Sequence, residues 1–189
     1  MSDQRFRRAI ERFDELNAAD PRPEPREWRY SQRMSATLAE LEPTASEALR
    51  LAVHAQHLCR WRIPRDAYPM DRAGYKAWRA ALMQLHAELA GDVLREVGYD
   101  EALSARVAEL LTKKRLKLDD EAQTLEDVAC LVFLRFEWSA FAAKHDDEKL
   151  VRILARTWLK MSPRGQSAAA RLELDDRART LLARALASA

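Results

Sequence analysis

The chain has 189 residues, of which 48% are hydrophobic and only four are glycine. A chain of this length and apolar content can bury a core of its own. Four glycines are too few for the many turns of a β-sandwich or barrel, so we predict an all-α protein. The 32 basic and 30 acidic residues leave a net charge of +2, which argues against a strongly charged surface that binds nucleic acids or membranes.

Apolar residues recur at helical spacing along most of the chain. Three prolines interrupt this pattern at Pro21, Pro23 and Pro25, where we predict a loop or strap. Thr44 and Glu47 are spaced as a capping box, and Ser162-Pro163 has the pattern of an N-cap followed by the first helical residue. The predicted helices cover residues 3–17, 31–41, 44–62, 74–97, 101–114, 121–143, 147–161, a short segment after Ser162, and 176–187.

These helices suggest a single domain over residues 1–189. We expect N-terminal helices and the Pro-rich strap over 1–43, a helical core over 44–161, and C-terminal helices over 162–189. The amino terminus is polar, and no apolar run reaches the roughly 20 residues that span a bilayer, so we expect a cytoplasmic protein. Cys59 and Cys130 show no CxxC pairing, which favours ordinary buried thiols.

A cluster of arginines stands at the end of the predicted helix 44–62. Guanidinium groups can hold phosphate or carboxylate groups through two parallel hydrogen bonds, and aromatic rings nearby offer faces on which a base can stack. We therefore predict an anion site here, although these arginines would equally suit a surface that shields an indole ring. The candidate residues are Arg60, Arg62, Arg65, Trp61 and, from the next predicted helix, Trp78 and Arg79.

Three further polar residues lie on apolar helices. His57 follows His54 by three residues, His86 lies among leucines in the helix 74–97, and Asp127 interrupts the apolar helix 121–143. A carboxylate is costly to bury without a cation or hydrogen-bond donors, so Asp127 could also be a structural hydrogen-bond acceptor or salt-bridge partner. Imidazoles and a carboxylate on three successive helices are suitable ligands for a divalent metal. The candidate metal ligands are His57, His86 and Asp127.

Four segments resemble one bacterial and fungal family. They are AQHLCRWRIPRDAYP (55–69), GYKAWRAALMQLHAE (74–88), EAQTLEDVACLVFL (121–134) and TWLKMS (157–162). They look like the family called domain of unknown function 4202, and the resemblance covers nearly the whole chain. It implies no settled activity.

More distantly, the layout is similar to the histidine-aspartate (HD) superfamily of helical phosphohydrolases. That superfamily binds a divalent metal through one histidine, a His-Asp doublet and a distant aspartate, onto which His57, His86 and Asp127 can be matched. Ala87 stands where the doublet has its aspartate, and Glu88 comes one residue late. The resemblance implies an HD-like core over 44–161 with bound Mg, Mn, Fe or Zn, which would polarise a phosphoryl oxygen and activate water.

Two functions follow from this resemblance. The first is a metal-dependent phosphohydrolase that acts on a nucleotide or a small phosphorylated metabolite. The alternative is a degenerate, non-catalytic HD-like fold that binds a nucleotide, an anion or an acidic protein partner, which the replacement by Ala87 favours. A purely structural or protein-interaction domain is a third. We expect a small phosphorylated ligand or nucleotide as partner, and neither a membrane nor a nucleic acid.

Overall fold

The computed structural model of the chain describes residues 2–114, 116 and 118–187. Within these ranges every regular element is helical and no strand occurs, which confirms the predicted all-α class. None of the described helices has the length and apolar composition needed to cross a membrane. The α-helices are α1 (Ser2–Ala18), α2 (Arg26–Leu41), α3 (Glu47–Ala55), α4 (Arg72–Glu96), α5 (Glu101–Thr112), α6 (Asp120–Val132), α7 (Trp138–Ala142), α8 (Asp147–Lys160), α9 (Pro163–Ala169) and α10 (Asp176–Ala187).

The chain divides into two compact units, one ending at Ala122 and the other beginning at Gln123. In the first unit, α4 packs along α5, α3 contacts both α2 and α5, and α1 packs against α2 and α3. Fully buried side chains at these contacts include Phe13, Met34, Leu51, Leu82 and Leu110. The boundary falls inside α6 and inside the predicted core 44–161, and the expectation of a single domain stays a prediction.

In the second unit, α8 packs against α10. The predicted helix 121–143 forms as α6 and α7, joined by one π-helical turn at Phe133–Glu137 that the apolar spacing did not indicate. A π turn inserts an extra residue into the helical path and rotates the side chains that follow it. Ser162 caps α9 with Pro163 in the first helical position, as predicted.

The predicted helix 44–62 is wrong at both ends. Its N-cap is Ser46, whose hydroxyl oxygen accepts from the Leu49 N–H at 3.1 Å, whereas the Thr44 hydroxyl donates to the Glu42 carboxylate. The helix ends at Ala55, well before Arg62. The chain then turns, and Cys59 adopts a left-handed backbone conformation with φ of 52°, which an α-helix cannot accommodate.

Two short 3-10 turns, Arg60–Arg62 and Arg65–Ala67, follow this left-handed residue. The other predicted helices form within a few residues of their expected bounds, except that α2 begins at Arg26, directly after the Pro-rich strap. Proline disrupts the interior of a helix but is well tolerated at its start. The Pro-rich strap therefore allows α2 to begin earlier than predicted.

The corrected start of α3 gives a stability prediction. Ser46→Ala removes the N-cap and a hydrogen bond donated to Glu121, so we expect the free energy of unfolding to fall by about 1–2 kcal/mol. Thr44→Ala, the matched control, should change it by less than about 0.5 kcal/mol because Thr44 does not cap the helix. Urea denaturation of both variants measures the difference. A larger loss of stability in Thr44→Ala than in Ser46→Ala would instead indicate that Thr44 caps the helix.

Candidate functional site

Two of the three predicted metal ligands lie close together in the first unit. His57 sits in the turn after α3, and His86 sits in the middle of α4. Their ring centroids are 5.9 Å apart, with the ring planes tilted by 46°. The structure therefore brings one imidazole from a turn against another from a long, rigid helix.

His57 is held on three sides. Its ring stacks on Tyr30 with centroids 4.0 Å apart, its Nε2 lies 3.2 Å from Nη1 of Arg60, and its Nδ1 lies 3.6 Å from Oε2 of Glu27. A guanidinium can only donate, so Nε2 of His57 is the acceptor from Arg60. In the neutral ring the proton is then on Nδ1, which faces the Glu27 carboxylate.

The carboxylate that faces His57 is itself anchored. Glu27 is 5% exposed, and its Oε1 accepts from Nη2 of Arg22 at 3.1 Å. Arg22 also donates to the buried carboxylate of Asp20, whose pKa is lowered by these hydrogen bonds. Two buried acids therefore share one arginine, and the Glu27 carboxylate keeps an electrostatic influence on Arg60 and His86.

The turn that carries His57 is tied to the same region by Asn17, which is fully buried. Its Oδ1 accepts from the Cys59 N–H at 3.0 Å, and its Nδ2 donates to the Glu27 main-chain carbonyl at 3.5 Å. One amide side chain on α1 thus connects the left-handed turn with the first turn of α2. This connection holds Cys59, which follows His57 in the turn, and Glu27, which faces the His57 ring.

His86 is only 3% exposed, and its Nε2 is buried without a hydrogen-bond partner. Burial lowers the pKa of His86 well below its ordinary value of 6.5, and His57, Arg60 and Arg79 lower it further against the opposing charge of Glu27. Burial lowers the pKa of His57 in the same direction, followed by the charges of Arg60, Arg79 and Lys113. Both rings are therefore neutral at neutral pH, with the positive charges of Arg60 and Arg79 nearby.

The two arginines beside these histidines differ in their contacts. The Arg60 guanidinium lies 4.6 Å above the Trp78 ring, whose Nε1 donates to the Ile63 carbonyl at 2.9 Å. Arg79 forms no hydrogen bond or ion pair with any described residue. Arg60 is thus positioned by an indole and an imidazole, while the half-buried Arg79 contributes positive charge without a carboxylate to balance it.

The other predicted anion ligands are placed differently. Arg65 donates to the main-chain carbonyls of Tyr68 at 3.0 Å and Pro69 at 2.7 Å, so its guanidinium holds the loop before α4. Trp61 is half-buried and Arg62 is exposed, both in the first 3-10 turn. Trp78 is 8% exposed, so its ring supports Arg60 and leaves little face for a base.

The third predicted metal ligand, Asp127, lies in the second unit. Its Oδ1 accepts from Nε2 of Gln123 at 2.9 Å and from the Ser162 N–H at 2.8 Å, and its Oδ2 accepts from the Ser162 hydroxyl. Gly165 packs directly on this carboxylate. Asp127 thus joins α6 to the N-terminus of α9. It acts as the structural hydrogen-bond acceptor that the sequence suggested as an alternative to a metal ligand.

The described residues contain no group of three histidine, cysteine or acidic side chains placed to hold a metal ion. Near the histidine pair, burial and then the positive charges of Arg60 and Arg79 lower both imidazole pKa values, and these charges also repel a divalent cation. At Asp127, both carboxylate oxygens already accept from neutral donors. These features favour an anion over a metal cation beside His57 and His86.

The sequence did not indicate several residues that hold this site. Glu27 and Tyr30 lie on one face of α2, three residues apart, and a carboxylate directly after a Pro-rich strap was a local signal for the first. Asn17, at the end of an amphipathic helix, gave no such signal. Their contacts with the turn at 56–59 arise from the packing of α1 and α2 against α3.

Comparison with protein-family models identifies the family of this chain. The model of Domain of unknown function (DUF4202) matches residues 7–182. The chain belongs to this family. The DUF4202 match includes the histidine pair, both arginines beside it and Asp127, and it confirms the first resemblance predicted from sequence. No curated protein and no solved structure matches the chain. The likeness to the HD superfamily stays a prediction.

The contact between Asp127 and Gly165 in this DUF4202 protein gives a second prediction. A Cβ at residue 165 would lie 2.6 Å from Cγ of Asp127, so Gly165→Ala should lower the free energy of unfolding by about 1–3 kcal/mol despite its higher helix propensity. In an Asp127→Ala background the same change should be neutral or stabilising. A double-mutant cycle by urea denaturation measures the coupling. Equal effects in both backgrounds would contradict the contact.

The lowered pKa values of His57 and His86 predict how stability depends on pH. Both rings bind a proton more readily in the unfolded chain, so the free energy of unfolding should decrease as the pH falls below about 6.5. His86→Phe should reduce this slope by up to about 1.4 kcal/mol per pH unit, the value for one proton. Leu85→Phe on the same helix controls for packing and should keep the wild-type slope. Unfolding curves between pH 5 and pH 8 measure both.

Proposed function

We propose that this protein binds the phosphate group of a small phosphorylated metabolite or nucleotide. The binding residues are His57, Arg60, Arg79 and His86, which together we call the histidine pocket. The observation that carries this proposal is the pairing of two unmatched groups: Arg79 has no carboxylate partner among the described residues, and Nε2 of His86 is buried without a hydrogen-bond partner. The several oxygens of a phosphate group can accept hydrogen bonds from both.

Electrostatics support an anion in the histidine pocket. Burial, followed by the charges of Arg60 and Arg79, lowers the pKa of both histidines, so the pocket already disfavours additional positive charge. A bound phosphate would reverse this effect, raise the pKa of both rings, and accept charge-assisted hydrogen bonds, which are roughly twice as strong as neutral ones. Anion binding therefore relieves the repulsion among the positive charges of the pocket.

The fixed tautomer of His57 adds geometric selectivity. Its Nε2 accepts one N–H of Arg60, which leaves the remaining guanidinium donors to a ligand. Tyr30 and Glu27 keep the ring in this orientation, and Trp78 supports the guanidinium from the opposite side. Arg60 is therefore held in one geometry before a ligand arrives, which reduces the entropic cost of binding.

This proposal corresponds to the non-catalytic alternative drawn from the sequence. The metal-dependent phosphohydrolase stays a prediction, because it needs a cation that the arginines beside His57 and His86 oppose. The two functions differ in their requirement for metal, and that requirement can be measured directly.

A calorimetric titration tests the proposal. Inorganic phosphate, a nucleoside monophosphate and a sugar phosphate are titrated into the wild type, into Arg79→Gln, and into Arg8→Gln, an exposed arginine on α1. Arg79→Gln should weaken binding about 10- to 100-fold, which corresponds to the loss of one charge-assisted hydrogen bond. Arg8→Gln should bind as the wild type does.

Two outcomes of this titration would count against phosphate binding in the histidine pocket. The first is unchanged affinity in Arg79→Gln, which would move the ligand elsewhere. The second is binding that disappears with a chelator and returns with added Mn²⁺, which would support the metal-dependent phosphohydrolase. Binding that persists in the chelator and falls in Arg79→Gln is the expected result.

A further inference from the structure

A second polar cluster connects three helices of the first unit. Asp14 on α1, Ser35 on α2 and His54 on α3 form a continuous series of hydrogen bonds. The Ser35 hydroxyl lies 2.8 Å from Nδ1 of His54, and Nε2 of His54 lies 2.9 Å from Oδ1 of Asp14. We call these three residues the serine triad. None of them belongs to the histidine pocket.

Hydrogen-bonding capacity fixes the proton positions in the serine triad. The carboxylate of Asp14 can only accept, so Nε2 of His54 carries its proton. In the neutral ring Nδ1 is then an acceptor, and the Ser35 hydroxyl must be the donor. A serine whose proton points at an imidazole, itself oriented by a carboxylate, is the arrangement that activates hydroxyl nucleophiles.

The neighbours of the serine triad hold this arrangement in place. Nε2 of Gln32 donates to both oxygens of Asp14, at 2.8 Å and 3.0 Å, and so orients the carboxylate. His54 is 2% exposed, and its ring stacks on Phe13 with centroids 6.3 Å apart. Ser35 is half-buried, as is Asp14 at the other end of the triad, whereas His54 between them is buried.

We propose that Ser35 is the nucleophile of an acyl-transfer site that accepts carboxylic esters. Oγ of Ser35 bonds to the ester carbonyl carbon while its proton passes to Nδ1 of His54. The bond to the alcohol then breaks, and the alcohol leaves with that proton. Water hydrolyses the acyl-serine by the same route, which regenerates the hydroxyl and releases the acid.

The ring nitrogens of His54 have the opposite assignment to that in serine proteases, where Nε2 faces the serine and Nδ1 faces the aspartate. The chemistry depends on the order nucleophile, base and carboxylate, because both ring nitrogens can accept or donate. The packing of α1, α2 and α3 against one another sets this order here. A purely structural role would need the same hydrogen bonds but no reactivity at Ser35.

The test uses a fluorophosphonate probe on the intact wild-type protein, followed by peptide mass mapping. The expected adduct is on Ser35: the Oγ–P bond forms, the P–F bond breaks, and fluoride leaves while His54 passes the proton to solvent. Asp14→Asn should slow labelling at least tenfold and His54→Gln about 100-fold, the usual contribution of a general base. Ser31→Ala, one turn away on α2, is the control and should label at the wild-type rate.

An unmodified Ser35 in the folded wild type, under conditions that label a serine protease in parallel, would overturn the proposal. Labelling of Asp14→Asn at the wild-type rate would also overturn it, because the carboxylate would then orient nothing. Because the adduct is mapped in the wild type, the test is decisive even if His54→Gln does not fold. Circular dichroism of Asp14→Asn shows whether its rate refers to folded protein.

Discussion

The end of α3 is the constraint on which the histidine pocket depends. The chain leaves the helix at Ala55 and passes through a left-handed residue at Cys59, held by a hydrogen bond from the Cys59 N–H to Asn17. If the helix continued, the helical rotation alone would set the directions of the His57 and Arg60 side chains. The turn instead sets both beside α4, where His86 and Arg79 lie two helical turns apart.

The distribution of charge in the first unit follows from how the buried acids are paired. Asp20 and Glu27 are both buried, and both accept hydrogen bonds from Arg22 of the Pro-rich strap. Burial lowers the pKa of Arg60 and His86, and the Glu27 carboxylate partly opposes this effect. Burial is the main reason why both imidazoles stay neutral, and the charges of Arg60 and Arg79 act in the same direction. An anion is the ligand that these charges would stabilise.

Similar residue types perform different tasks in different parts of this chain. Asp127 accepts hydrogen bonds from Ser162 and Gln123 and organises a helix start, whereas Asp14 orients the imidazole of His54. His54 has a hydrogen-bond partner at each ring nitrogen, while Nε2 of His86 has none. Whether a buried polar side chain belongs to a functional site therefore depends on the groups that surround it.

The sequence by itself determined the all-α class, most helix positions and the family, because apolar periodicity and proline positions act locally along the chain. It also singled out His57, His86 and the arginines at 60 and 79. The end of α3, the partners of His57 and the structural role of Asp127 were decided only by the tertiary structure. Each of these depends on a hydrogen bond between residues far apart in sequence, such as Asn17 with Cys59 or Asp127 with Ser162, and no local pattern encodes such a pairing.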